Sequence, residues 1–118
     1  MSMPEHRDRM RMQHMLDHAR EALEMIGSRA QDDVLANRML QLALAQLAGV
    51  VGEAARRVSD QTQARYPEIP WRNTIATGDR LRRGLPIDGG LVRDTIIVDF
   101  PPLLASLERA LSSLPANG

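Results

Sequence analysis

Cysteine is absent from the chain, which removes disulfides, thiolate metal sites and a cysteine nucleophile and leaves stability to packing. Lysine is absent as well, so all fifteen basic side chains are arginine, the residue whose rigid donor fork suits phosphates and carboxylates. With one Trp, one Tyr and one Phe, there are few side chains on which nucleic-acid bases could stack. No stretch approaches the ~18 uninterrupted apolar residues of a spanning helix, and the charged start from Met1 to Arg11 does not look like a signal peptide. These absences lead to the expectation of a soluble cytoplasmic protein with no membrane partner.

What is present fits a single domain over residues 1–118, with 43% hydrophobic and 25% charged residues. Fifteen acidic residues balance the fifteen arginines. Global charge therefore points to no polyanionic partner, and any such role must come from local clusters.

Helical periodicity dominates. Ser2, Pro4 and Glu5 have the spacing of a capping box. Met12, Met15, Leu16, Ala19, Ala22, Leu23 and Ile26 then form one apolar stripe, closed by Gly27. A second helix is expected from a cap at Asp32 or Asp33 to about Val58, roughly 40 Å at ~1.5 Å per residue. Ser59 suits the cap of a short third helix, and Tyr66, Pro67 and Pro70 make a rigid connector. A fourth helix carries Trp71, Ile75 and Leu81, and a loop runs through Gly84, Pro86, Gly89 and Gly90. A fifth begins near Asp88 and ends or kinks near Pro101 and Pro102, since a lone strand over residues 95–100 would leave backbone groups unpaired. Leu103, Leu104, Leu107, Leu111 and Leu114 resume the period, before a frayed end at residues 115–118. The sum is an all-α, antiparallel four- to five-helix bundle.

Between Met39 and Ala55 only Gln41, Gln46 and Glu53 are clearly polar, so apolar side chains surround the second helix. A second copy of the chain could cover part of it as a homodimer, or the helix could lie buried within one chain.

Local motifs are sparse. No Gly-rich phosphate loop, nucleophile elbow or EF-hand series occurs, and no cofactor is expected. His14 and His18 have the spacing of two metal ligands, yet Met15 stands where a zinc peptidase has Glu and no third ligand is evident. No metal is expected. Glu53 needs a partner in its apolar surroundings, with Arg57 four residues on. The two readings are an ion pair on the helix rim and a pocket carboxylate. Arg72, Arg80, Arg82 and Arg83 form the densest basic cluster, suited to phosphates or simply a solvated face near a helix C-terminus.

The run Val50-Val51-Gly52-Glu53-Ala54-Ala55, then Tyr66-Pro67-Glu68-Ile69-Pro70-Trp71-Arg72, then Asp99-Phe100-Pro101, resembles the HepT-like branch of the HEPN families over nearly the whole chain. The resemblance implies a homodimeric helical bundle. It also implies kinship with RNA-cutting toxins that pair with a nucleotidyltransferase antitoxin. The active site it implies is an Arg, four to six residues beginning with a polar one, and a His, with a Tyr beside the His. Counted without a gap from Pro70-Trp71, those positions hold Gly78, Asp79, Arg83 and Leu85, of which only Asp79 keeps its expected type. The last His in the chain is His18. Guanidinium stays charged and cannot shuttle the protons that ribose 2′-hydroxyl attack requires. Leu85 has no hydroxyl to accept an AMP group.

The resemblance and the departures together imply a catalytically degenerate protein, acting as a dimeric binding or regulatory module for a nucleotidyltransferase or RNA. Two rivals are an active ribonuclease toxin with rearranged residues, using Arg72, Arg80, Arg82 and Arg83 and another proton carrier, and a purely structural helical homo-oligomer.

Overall fold

The computed structural model describes residues 3–83 and 88–114, and all regular structure among them is helical. Four longer helices, α1 (Met3–Ile26), α3 (Arg38–Arg56), α5 (Trp71–Arg83) and α6 (Gly89–Ser113), form a bundle. Two short ones, α2 (Gln31–Leu35) and α4 (Asp60–Arg65), bridge between them. Ser2, on which the predicted cap of α1 rests, lies outside the described residues, as do Leu85 and residues 115–118. No helix among the described residues is long and apolar enough to cross a membrane.

The stripe expected on α1 is the core face. Met12, Met15, Leu16, Ala19, Ala22 and Ile26 are buried, and Gly27 ends the helix at φ 53° with its amide bonded to the Leu23 carbonyl. A side chain at that φ would be strained, so glycine is the residue that turns the chain there.

Two expectations need correction. The single second helix is two, broken at Ala36 and Asn37. Asn37 is extended, and its side chain accepts a hydrogen bond from the Leu40 amide at 2.9 Å, so it starts α3 afresh. Asp32 and Asp33 lie inside the first turn of α2, behind Ala30, and are not caps. Of the two outcomes expected for the fifth helix at its prolines, the ending is excluded, since α6 runs through Pro101 and Pro102. The carbonyls of Ile97 and Val98 thereby lose their helical donors, but both residues and both prolines are exposed, so those carbonyls are not trapped in the core.

A buried carboxylate ties α1 to α4. Asp8 is 4% exposed and accepts from the Ser59 amide at 3.0 Å, the Ser59 hydroxyl at 2.6 Å and the Thr62 hydroxyl. Ser59 in turn accepts from the Thr62 amide, capping α4 as its sequence suggests. The connector that follows is fixed by Trp71, whose indole N–H reaches the carbonyls of Gln63 at 3.1 Å and Tyr66 at 3.0 Å.

The tightest packing is between α3 and α5. A Cβ placed on Gly78 would lie 2.7 Å from the Ala48 carbonyl oxygen and 3.1 Å from the Gly52 Cα. Here backbone meets backbone with no side chain between. Gly78→Ala is expected to destabilise by about 1–3 kcal/mol, the cost of overpacking, despite alanine's better helix propensity. Gly90→Ala is the control, because its Cβ would meet nothing nearer than 3.5 Å. Thermal unfolding should show a midpoint several degrees lower for the first and unchanged or raised for the second; equal midpoints would contradict the packing constraint.

Candidate functional site

Helix α5 opens at Trp71, held by the Pro70 connector, and its buried residues Trp71, Thr74, Thr77, Gly78 and Leu81 face inward. The opposite face is left for Arg72, Arg80 and Arg83, all exposed, separated by steps that return to one side of a helix. Arg72 also borders a shallow depression of about 460 Å³ between α4 and the start of α5, with Asp60, Gln63 and Asn73 on its wall.

Arg82 departs from that group. Its stem lies across Gly49 of α3, where a Cβ would come within 2.7 Å of Cδ and 2.9 Å of Nε. The cluster of four arginines expected from the sequence is therefore an exposed row of three and one side chain turned toward α3 and α1. There it lines a cleft of about 180 Å³ with Arg11, His14, Val50, Glu53, Ala54 and Arg57.

Glu53 lies on the α3 rim facing the cleft. It pairs with Arg57 at 3.2 Å, as expected, and with Arg56 at 3.6 Å, and it also forms part of the cleft wall. The role of Arg56 was not legible from spacing within α3, because its stronger partner is Asp79 on α5. Arg11 was missed too. Its position next to Met12, at the edge of the buried stripe, is the signal that could have drawn attention to it.

The four motif positions are not equivalent in the fold. Gly78 is buried against α3, Asp79 is bound to Arg56, Arg83 is exposed, and Leu85 lies outside the described residues. All three histidines are on α1. His18 Nδ1 donates to the His14 carbonyl at 2.7 Å, and the two rings meet edge to face with centroids 6.3 Å apart. Among the described residues, no group of three or more His, Asp or Glu is arranged to hold a metal ion.

The Arg56 hydrogen bond holds the Asp79 carboxyl below its ordinary value of 3.8, against an opposing desolvation, and the charges of Arg56, Arg83 and Arg82 add to the lowering. Arg56 is raised in return, first by its hydrogen bond to Asp79 and then by the charge of Asp79. A carboxyl lowered by folding binds fewer protons in the native than in the unfolded state, so its contribution to stability is present above 3.8. That contribution is lost as the pH falls through the lower native value. Melting of Asp79→Asn beside the wild type from neutral to strongly acid pH should show a small deficit that closes on acidification. It should also shrink at high salt, because the pair is solvent-exposed. A deficit independent of pH would remove the ion pair as its cause.

The ribonuclease HepT-like family model matches residues 15–110, from the middle of α1 to near the end of α6. A Methanocaldococcus jannaschii protein named "Gamma-glutamylcyclotransferase and putative RNase" is 26% identical over 107 residues, 86% of this chain and 48% of that protein. The chain thus spans about half the length of that relative. A Thermococcus cleftensis protein named "Probable ribonuclease HepT" is 26% identical over 99 residues, covering 80% of this chain and 90% of the relative. A second M. jannaschii protein, named "Putative RNase", is 21% identical over 95 residues, 80% of this chain and 87% of its own length. No solved structure matches the chain. With most of the helical bundle, the glycine-packed α3 and the Pro-Trp start of α5 inside the matched stretch, the chain belongs to the HepT-like ribonuclease family.

Proposed function

We propose that this protein is a HepT-like dimer that binds RNA without cutting it. The observation that carries the reading is Gly78. The position at which the resemblance puts the cationic motif residue is closed by the α3 backbone, so a long cationic side chain there would force α3 and α5 apart. Arg83, at the position of the proton carrier, is a permanently charged group on the surface. The toxin role that the resemblance implies depends on cleavage, and this chain lacks the groups for it at those positions.

Binding remains within the means of α5. Arg72, Arg80 and Arg83 present guanidinium groups along one exposed face, the arrangement that contacts a phosphate backbone irrespective of sequence. This favours RNA over the nucleotidyltransferase as the partner of that face. Affinity of the purified protein for single-stranded RNA should fall steeply with salt. The joint substitution of Arg72, Arg80 and Arg83 by Gln should weaken it and reduce the slope by roughly two, at ~0.7 per contact. Binding that ignores salt, or copurification with a nucleotidyltransferase and no RNA affinity, would count against the reading.

One observation favours the rival of a rearranged enzyme: His14 lines the same cleft as Arg82. The same RNA assay separates the two readings. Wild-type cleavage that disappears in His14→Gln would establish the rival, whereas intact RNA supports binding alone.

What the bundle leaves bare supports the dimer. Its own helices cover most of α3, but Met39 is 82% exposed, with Leu35 and Leu42 half exposed beside it in sequence. Leu91, Ile97 and Val98 are exposed on α6, whose start packs against Leu35. Apolar side chains of this size left bare on α2, α3 and α6 suit an interface with a second copy. Sedimentation should return dimer mass for the wild type and monomer mass for a Met39→Glu, Leu42→Glu variant. Monomer mass for the wild type at micromolar concentration would defeat the proposal.

A further inference from the structure

The cleft between α1, α3 and α5 is built from three guanidinium side chains, one imidazole and one carboxylate. Arg11 and His14 come from α1, Glu53 and Arg57 from α3, and Arg82 from α5, with Val50 and Ala54 as an apolar floor. Each arrives for a structural reason. Arg11 and His14 flank Met12 and Met15, which bury α1 in the core. Arg82 crosses α3 because Gly49 has no side chain to block its stem.

The charges do not cancel. Glu53 is shared between Arg57 and Arg56. Arg11 and Arg82 have no ion pair or hydrogen bond among the described residues. The Arg11 Nε is buried and lacks any acceptor, an expensive state for a charged donor. Arg93 Nε shares that state, but Arg11 stands with two further guanidinium groups at the wall of one cleft, where an anion could satisfy it.

Size and charge narrow the anion. About 180 Å³ corresponds to roughly six waters at ~30 Å³ each, room for a phosphoryl group with its hydration and less than the ~300 Å³ of a site that engulfs a whole small molecule. With Glu53 set against Arg57, two guanidinium charges remain, matching the nearly divalent charge of a phosphate monoester near neutral pH better than a carboxylate or a phosphodiester. Guanidinium forks also bind phosphoryl oxygens in pairs.

We propose that the cleft lined by Arg11, His14, Arg57 and Arg82 binds a phosphate monoester, the rest of the ligand lying outside its mouth. The site is separate from the exposed row of Arg72, Arg80 and Arg83, so it stands whether or not that row binds RNA. The monoester could be a free mononucleotide or the terminal phosphate of an RNA.

The test begins with the unaltered protein. Inorganic phosphate should raise its melting temperature more than chloride or acetate of equal ionic strength, and should shift the His14 ring resonances, assigned by comparison with His14→Gln. Arg82→Gln and Arg11→Gln should each weaken phosphate binding by roughly tenfold, while Arg65→Gln, remote from the cleft, should not. The pair of variants guards against one failing to fold, and the wild-type titration needs neither. Adenosine 5′-monophosphate set against adenosine, and 5′-phosphorylated set against 5′-hydroxyl RNA, then distinguish the two sources. Selectivity for the phosphorylated member of either pair supports the site. Unmoved His14 resonances, or an equal loss of affinity in Arg65→Gln, overturns it.

Discussion

The contact on which the bundle depends is the backbone-to-backbone crossing of α3 and α5 at Gly52 and Gly78. Helix axes usually stand apart by the width of interleaved side chains. Here the absence of side chains lets the two helices close directly on one another, with Thr74 and Ala48 carbonyls forming the walls of the contact. Everything of functional interest on α5 is placed by that closure. The outward row of Arg72, Arg80 and Arg83 is outward because Gly78 is inward, and Asp79 reaches Arg56 because the two helices are near. The same nearness sends Arg82 across Gly49 into the cleft beside α1.

Polar ties hold the ends of the crossing in place. Asp8 joins α1 to the start of α4, and the Trp71 indole binds the carbonyls that end α4 and begin the proline connector. Tyr66 adds a 3.0 Å hydrogen bond to Ser113 at the far end of α6. Asp8, Tyr66 and Trp71 are themselves buried, where an unpaired polar group is costly, so each tie fixes a direction as well as a position. The pivot of α5 is thus set before its arginines are considered.

Much of this is written plainly in the sequence. The α1 stripe, the Gly27 stop, the Ser59 cap and the pairing of Glu53 with Arg57 are local patterns, and local patterns survive folding. The break at Asn37 is less visible, because the residues on both sides suit a helix and only the side-chain acceptor at Asn37 marks the new start. The prolines of α6 mislead for the opposite reason: a strong local signal is outweighed by Phe100 and Leu103, whose burial on either side keeps the helix whole. What spacing could not disclose is contact between helices. Asp8 falls four residues before Met12, in the register of the buried stripe, and that misfit is the one trace of its bond to Ser59. The division of Arg82 from Arg80 and Arg83 depends on Gly49, thirty-three positions earlier in the chain.

Helix α6 serves two sets of neighbours, and the proline pair stands at the boundary between them. Its first half meets Gln41 and Leu35 through Gly89 and Gly90, whereas its second half meets α1 through Arg20 and Arg9. Two consecutive missing amide donors weaken the hydrogen-bond ladder between those halves. Amide exchange would therefore be fastest at the turn around the prolines, with the protected segments on either side separated by it. Val92 and Ile96 bury the first half of α6 in the core, so the loss falls on the exposed turn around Val98 and the two prolines.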